Sequence, residues 1–78
     1  NSTKVFVDYK KAVNVMFNKT YNKVSLSIFD LTGKLITNSS YSNTSLIKYQ
    51  SDLKMGVYLI KIIADNETAD FKVVSKPN

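Results

Sequence analysis

The side chains best suited to chemistry in this sequence are four carboxylates in its second half: Asp52, Asp65, Glu67 and Asp70. Two of them at a hairpin could hold calcium weakly, but the Asp-x-Asp-x-Asp spacing of a calcium-binding loop is absent. Two carboxylates could also act as the acid and base of a glycosidase, yet 78 residues leave no cleft with such a pair on either side. The carboxylates therefore predict neither a metal site nor a catalytic pair.

The sequence also lacks the residue types on which most catalytic and metal sites depend. Histidine is absent, which removes the usual general base near neutral pH and the commonest metal ligand. Cysteine is absent as well, so a disulfide framework, a thiolate metal site and a cysteine nucleophile are all impossible. We therefore predict that this chain is not an enzyme and that it binds no cofactor and no metal.

The charge of the chain comes from 11 basic residues, all of them lysine, against 6 acidic ones, which gives a net charge of +5. A basic chain can bind nucleic acid or an anionic surface. Arginine, whose planar guanidinium reads bases and clamps phosphates, is absent, and the lysines are scattered apart from the pair Lys10-Lys11. We predict a solvated lysine-rich surface and no nucleic-acid partner.

Two glycines mark places where the backbone must turn. Asp30 opens a type I turn, and Gly33 takes the left-handed position that closes a bulged hairpin. Gly56 ends a short helical turn predicted for residues 51–56. We interpret both glycines as backbone necessities and Asp30 as a ligand of its own turn amides. Tyr58 is interpreted as a core residue whose hydroxyl finds a partner at one end of the fold.

The elements that position these residues are strands, because apolar and polar residues alternate along most of the chain. The polar stretches 18–22 and 38–44 predict loops. Residues 57–64 form a nearly continuous apolar run, which predicts a strand buried on both faces. Pro77 cannot donate to a ladder, so pairing must stop before it. The predicted strands are residues 4–9, 12–17, 23–30, 35–37, 45–50, 57–64 and 69–74.

These elements predict an all-β fold in one domain, residues 1–78. About seven short strands, with no connection long enough for a crossover helix, predict a small antiparallel β-sandwich, Ig-like or fibronectin-like in shape. Without disulfides or a structural metal, a domain of this size depends on its apolar core for stability. No run approaches ~18 apolar residues, so we expect no membrane insertion. The start at Asn1, without a methionine or signal peptide, is interpreted as a piece of a longer chain.

The order of the motifs is more specific than the fold class. Residues 24–36 contain an aspartate–x–x–glycine–lysine turn, residues 53–62 contain a glycine–valine–tyrosine strand, and residues 71–74 form a lysine-bearing last strand. Over about residues 13 to 76, this set resembles the C-terminal sorting domain of type IX secretion substrates in the Bacteroidetes (Por secretion type A). The sequence departs from that family in two ways: it has no proline–x–asparagine–proline-like opening segment, and residues 75–78 extend past the last strand.

The resemblance implies a sorting signal that forms the end of a larger cargo protein. Such a cargo crosses the inner membrane, folds in the periplasm, is bound by the outer-membrane translocon and reaches the cell surface or the medium. A sorting peptidase then removes the domain. The last strand, 69–74, is the candidate edge for translocon contact, and Lys34 and Lys72 are candidates for charge-guided contact. The candidate recognition residues are Asp30, Gly33, Lys34, Gly56, Tyr58, Lys72, Val73 and Val74.

Two other functions are compatible with the residues alone. A carbohydrate-binding or adhesive module of a surface protein would need a stacking platform, which four tyrosines could supply although tryptophan is absent. A passive spacer between other domains would need only the fold. The tyrosines concerned are Tyr9, Tyr21, Tyr41 and Tyr49.

Overall fold

A computed structural model describes residues 2–77, so the predicted domain ends Asn1 and Asn78 lie outside the described residues. The all-β, antiparallel prediction is confirmed, because one antiparallel sheet contains every strand of this part of the chain. None of its elements is a helix that could cross a membrane. The strands are β1 (Lys4–Val7), β2 (Ala12–Phe29), β3 (Leu35–Gln50), β4 (Gly56–Ala64) and β5 (Glu67–Ser75).

The prediction of seven strands is corrected to five, because two predicted loops are strand. Residues 18–22 belong to β2, and residues 38–44 belong to β3. Tyr21 of the first stretch pairs with Thr44, and residues 38–42 of the second stretch pair with β2, for example Ser40 with Ser25. Serine, threonine and asparagine fit here because the outward face of an antiparallel sheet can be solvated. Polarity alone therefore did not distinguish a loop from a solvated strand.

The turn-forming residues of the two stretches bend the strands instead of ending them. The register between β2 and β3 shifts between Met16, opposite Leu46, and Tyr21, opposite Thr44. Residues 17–20 of β2 therefore lie opposite one residue of β3, as in a large bulge, and bulges bend a strand and increase its twist. Asn43 in β3 has a left-handed φ of 51°, which asparagine adopts more readily than most residues.

The bend divides the sheet into two halves that face each other. The three-stranded half contains β1, residues 12–16 of β2 and residues 46–50 of β3. The four-stranded half contains residues 24–29 of β2, residues 35–41 of β3, β4 and β5. On the side away from β3, β1 contacts β5. The predicted segments therefore exist in two layers, although they lie on five strands, and the Ig-like or fibronectin-like shape stays a prediction.

The apolar core lies between the two halves. Alternate residues of each strand point inward, as the two-residue period of a strand requires. The three-stranded half contributes Val13, Val15 and Ile47. From the four-stranded half come Val24, Leu26, Ile28, Ile60, Ile62, Ala64 and Val73.

The segment between β3 and β4 closes one end of this core without a helix. The predicted helical turn at 51–56 is wrong, because residues 51–55 are irregular and insert Leu53 into the core. Side chains satisfy its carbonyl groups instead: Ser75 Oγ donates to Leu53 O at 3.2 Å, and Tyr58 OH donates to Lys54 O at 2.8 Å. Strand β5 ends at Ser75, so pairing stops before Pro77 as predicted.

Candidate functional site

The β2–β3 turn (residues 30–34) contains three of the candidate recognition residues. Its ends pair through Asp30 N–H and Lys34 O at 3.0 Å, and Gly33 N–H donates to Asp30 O at 3.1 Å. Gly33 has φ 89°, the left-handed conformation predicted for it. The Lys34 side chain lies at the exposed end of this turn.

Asp30 organises the β2–β3 turn through its side chain. Its Oδ1 accepts hydrogen bonds from Thr32 Oγ1 at 2.6 Å, Thr32 N at 2.9 Å and Lys34 N at 3.1 Å. These donors favour the charged carboxylate and lower the pKa of Asp30, with the Thr32 hydroxyl as the largest cause. The contacts are those expected of an aspartate that binds its own turn amides.

Gly56 and Tyr58 shape the beginning of β4. Gly56 has φ 153°, where a side chain is rarely found, and it lies opposite Ser75 of β5. The ring of Tyr58 would lie 3.8 Å from a Cβ added at Gly56. The tyrosine packs against the core, and its hydroxyl binds the Lys54 carbonyl. Both residues therefore have structural roles, Gly56 in the backbone and Tyr58 in the core, as the sequence analysis interpreted them.

The last strand places its three candidate residues on opposite faces. Lys72 and Val74 point outward, and Val74 is 50% exposed. Val73 points inward and is only 4% exposed, so it belongs to the core. A partner on the outer face of β5 would therefore contact Lys72 and Val74, while Val73 supports them from below.

The outward residues of the four-stranded half form a continuous surface. Lys72 lies opposite Leu59, Leu59 opposite Phe29, and Phe29 opposite Leu35, so that one row crosses all four strands. Residues paired directly across a sheet lie on the same face with Cβ atoms about 5 Å apart. The pair formed by Val57 and Val74 adds a second row. We name this surface the outer patch: Phe29, Leu35, Val57, Leu59, Lys72 and Val74.

The outer patch corrects one prediction about β4. The apolar run 57–64 predicted a strand buried on both faces, but its burial alternates, with Leu59 40% and Ile63 42% exposed. The fold covers the inward face with the three-stranded half, and no other described element covers the outward face. The sequence therefore contains apolar residues beyond those that its own core uses.

The β2–β3 turn extends directly from the outer patch. Phe29 precedes the turn and Leu35 follows it, and the two residues lie opposite each other. The fold therefore brings Asp30, Gly33 and Lys34 to the edge of the surface that contains Lys72 and Val74. Gly56, Tyr58 and Val73 lie outside this surface, and they stabilise the strands that form it. The sequence signal that separates the residues on this surface from those outside it is the alternation of inward and outward side chains along β4 and β5.

Asp65 has a role that the sequence analysis missed. It lies in the β4–β5 turn with φ 52°, and its carboxylate accepts hydrogen bonds from Asn22 N at 3.3 Å and Lys23 N at 2.9 Å. Its own N–H donates to Lys23 O at 2.8 Å. This residue fastens the β4–β5 turn to β2 just after the bend. Its position at a hairpin was visible in the sequence, but its partner 42 residues away was not.

The remaining carboxylates do not form a common site. Tyr21 OH donates to Glu67 Oε1 at 3.3 Å, and Lys19 Nζ lies 3.7 Å from Glu67 Oε2. Burial and this carboxylate raise the pKa of Tyr21. Asp70 lies opposite Lys61 on the outer face. Within residues 2–77, acidic side chains do not gather in a group of three or more that could hold a metal ion.

The four tyrosines of the carbohydrate-binding alternative do not share a face. Tyr21 is buried in the core, and Tyr41 and Tyr49 pack against it. Tyr49 OH also shares a hydrogen bond with Thr37 Oγ1 at 3.1 Å, which joins the two halves. Tyr9 is exposed in the β1–β2 connection. These positions give no stacking platform, so the carbohydrate-binding alternative is not favoured.

Comparison with known protein families confirms the resemblance noted in the sequence. The model of the family described as secretion system C-terminal sorting domain matches residues 9–76 of the 78. No curated protein matches the chain. The matched region includes the β2–β3 turn, the beginning of β4 and β5, and therefore every candidate recognition residue.

Proposed function

Since this chain belongs to the family of secretion system C-terminal sorting domains, we propose that the secretion machinery recognises it through the outer patch and the adjoining β2–β3 turn. Family membership gives the function itself: the chain is a C-terminal sorting signal for type IX secretion. It acts as part of a cargo protein, which is exported to the cell surface or the medium. A passive spacer is not favoured.

The finer steps of the route belong to the proposal. The cargo passes through the periplasm, where residues 1–78 fold as one unit. The outer-membrane translocon binds the domain, and a sorting peptidase removes it. The chain contributes no catalysis to these steps, in keeping with a family of non-catalytic secretion signals. Its role is to present a folded surface to protein partners.

The observation that carries this proposal is the exposure of apolar side chains on the outer face of the four-stranded half. Leu35 is 51% exposed, and Leu59 and Val74 are exposed on the same face of the sheet. Contiguous apolar surface of this kind, with a polar rim, is typical of a protein interaction site. The antiparallel ladder holds the surface rigid, so a partner meets it without an ordering cost for the backbone.

Charge gives the expected chemistry of the partner surface. Lys72 lies within the outer patch, and Lys34 lies at its edge. A complementary partner surface is therefore apolar at its centre, with carboxylates opposite these two lysines. The apolar contacts supply most of the affinity, and the lysines orient the domain and speed its encounter with the partner.

The first prediction concerns the secretion of a reporter with a signal peptide at its N-terminus and this chain at its C-terminus. In a Bacteroidetes host, the reporter reaches the medium or the cell surface only when the translocon is intact. The variants Leu59→Ser and Lys72→Glu each lower secretion by about tenfold or more, because each removes a contact worth about 1.4 kcal/mol or more. The measurement is the ratio of exported to periplasmic reporter.

The matched controls are Leu46→Ser and Lys4→Glu, which alter exposed residues on the outer face of the three-stranded half. These controls change secretion by less than about twofold, because they leave the outer patch intact. Equal loss in both sets, with unchanged melting temperatures of the isolated variants, would assign recognition to another surface. Reporter trapped in the periplasm both of a host with an intact translocon and of a translocon-deficient host would contradict the sorting function itself.

A further inference from the structure

The outer edge of β3 is the free edge of the sheet. β3 pairs only with β2, β5 only with β4, and β1 only with β2, among the strands of residues 2–77. The edges of β1 and β5 lie close to each other, because these two strands are in contact. The edge of β3 has no described strand beside it. Its unpaired N–H and C=O groups therefore form a template for a further strand.

We propose that a second copy of this chain pairs with this edge, β3 against β3 in antiparallel orientation, to form a two-fold dimer. An isologous interface of this kind uses the same surface on both copies and closes on itself. The four-stranded halves of the two copies would then form one continuous sheet. The interface shares only Leu35 with the outer patch, because Leu59 and Lys72 lie on β4 and β5, two and three strands from this edge.

The sequence of β3 lacks the devices that proteins use to prevent edge pairing. Natural edges contain lysine, inward-pointing charge or proline, or they are very short. Residues 35–47 contain no charged residue and no proline, and β3 is 16 residues long. The left-handed Asn43 interrupts the straight part of the edge at its far end. The usable edge is therefore the uncharged stretch 35–42.

The pairing is centred near Ser39, the middle of this stretch. A two-fold axis at Ser39 places Thr37 opposite Tyr41 and Asn38 opposite Ser40 of the second copy, since paired positions then sum to 78. Asn38 and Ser40 are exposed small polar residues of the kind that form hydrogen-bonded cross-strand pairs, whereas the hydroxyls of Thr37 and Tyr41 already bond to Tyr49 and Ser39 of their own copy. The interface joins neutral polar strands through their main chains, in the manner of strand addition.

Charge permits two copies to pair at this edge and opposes their pairing at the others. Each copy has a net charge of +5, so two copies meet only where their lysines stay apart. In the pairing about Ser39, the two Lys34 residues lie ten positions apart along the strands, about 33 Å, which exceeds the ~8–10 Å screening length. Pairing through the short β1 or through β5 would bring Lys4 or Lys72 of both copies to the interface.

The second prediction uses the absence of cysteine from the sequence. A single cysteine introduced as Ser39→Cys lies opposite its own copy across the two-fold axis, where paired Cα atoms are about 4.5–5.5 Å apart, within disulfide range. We expect mild oxidation to link most of the Ser39→Cys protein into dimers. The control Ser27→Cys lies in β2, which has paired strands on both sides, and is not cross-linked by oxidation.

Sedimentation of the unmodified chain completes the test. We expect a concentration-dependent dimer, and we expect Ser40→Lys to make it monomeric, because this exposed residue brings the new charges of both copies close to the two-fold axis. Circular dichroism confirms that this variant keeps its fold. A monomer at about 1 mM, or equal cross-linking of the Ser27→Cys and Ser39→Cys variants, would overturn the proposal. Because the isolated chain is used throughout, neither result depends on the secretion experiment.

Discussion

The β1–β2 turn (residues 8–12) and the β2–β3 turn (residues 30–34) have the same hydrogen bonds although their sequences differ. Each begins with an aspartate whose N–H donates to the carbonyl of the fifth residue, at 3.0 Å in both. The N–H of the fourth residue donates to the aspartate carbonyl, at 3.0 Å and 3.1 Å. The aspartate Oδ1 accepts from the third and fifth amides at 2.9–3.1 Å in both turns. The aspartate therefore sets this turn.

The two turns differ at the fourth position. Gly33 occupies it in the β2–β3 turn with φ 89°, whereas Lys11 occupies it in the β1–β2 turn with φ 67°. A left-handed residue with a side chain costs about 1–2 kcal/mol. The geometry therefore does not require glycine, but glycine avoids a cost that lysine incurs.

The surroundings of the turns explain why one tolerates lysine. Neighbouring elements hold the β1–β2 turn: Ser51 Oγ donates to Lys11 O at 2.6 Å, and Gln50 Nε2 donates to Lys10 O at 2.8 Å. Lys11 Nζ also donates to the Lys76 carbonyl. A conformation with strain persists where its surroundings determine it. The β2–β3 turn is exposed throughout residues 31–34 and depends on its own contacts.

The third prediction tests the difference between the two turns at their fourth position, and it has the largest expected effect on stability. Gly33→Ala lowers the free energy of unfolding by about 1 kcal/mol, because alanine resists a left-handed φ. The added Cβ meets no atom within 4 Å, so the loss comes from the backbone alone. The matched Lys11→Ala variant stays within about 0.5 kcal/mol of the parent chain, since that position already has a Cβ. Urea unfolding measures both.

The outcome for Gly33→Ala separates stability from recognition. Equal stability losses in the two alanine variants would contradict the account of the turns. A Gly33→Ala chain that is as stable as the parent but is no longer secreted would show that the glycine leaves room for a partner. The open space around Gly33 makes both readouts possible in one variant.

The fourth prediction tests the same difference by changing Lys11 in the β1–β2 turn. Lys11→Asn raises the free energy of unfolding by about 0.5 kcal/mol, because asparagine is several-fold enriched in the left-handed conformation. The control Lys10→Asn gives no gain, because Lys10 does not share the positive φ of its neighbour. Thermal and urea unfolding of the two variants measure the difference. A loss of stability in Lys11→Asn would show that the Lys11 Nζ contact with Lys76 outweighs the relief of strain.

The difference between the turns also explains which parts of the fold could be predicted. The β2–β3 turn was predicted because Gly33 follows Asp30 at the spacing of a bulged hairpin. The β1–β2 turn has the same aspartate, but Lys11 gives no left-handed signal, so the sequence showed only an interruption there. The strands were predicted in position, while the continuity of β2 and β3 was not, because a bulge and a loop use the same residues.

The outer patch could be predicted only in part for a related reason. Of the residues that the sequence analysis selected, Lys72 and Val74 lie on the outward face, and Val73 and Tyr58 lie on the inward face. The alternation along β5 contained that distinction. The sequence did not show that one face of β4 is uncovered. An apolar run such as residues 57–64 predicts a strand with both faces buried. Only the fold shows that residues 57–64 have one layer beside them.

The fifth prediction tests the shared role of the two aspartates through their pKa values. Hydrogen bonds lower the pKa of both carboxyl groups; the Asn14 side chain is the largest cause for Asp8, and the Thr32 side chain for Asp30. Thr32→Ala therefore raises the pKa of Asp30 towards its ordinary value and leaves Asp8 unchanged. Asn14→Ala does the reverse. Carboxyl resonances followed by NMR during an acid titration measure each group separately.

The same hydrogen bonds fix the direction of the dependence of stability on pH. A carboxylate with a lowered pKa in the folded state stabilises the fold fully above its unfolded value of about 3.9, and that contribution is lost as pH falls through the lower folded value. Both turns therefore weaken in the window below about pH 4. Asp30→Asn flattens the acid limb of the stability curve more than Thr32→Ala does, because asparagine has no charge to lose. A curve of unchanged slope in Asp30→Asn would show that the β2–β3 turn depends on its backbone bonds and not on the carboxylate.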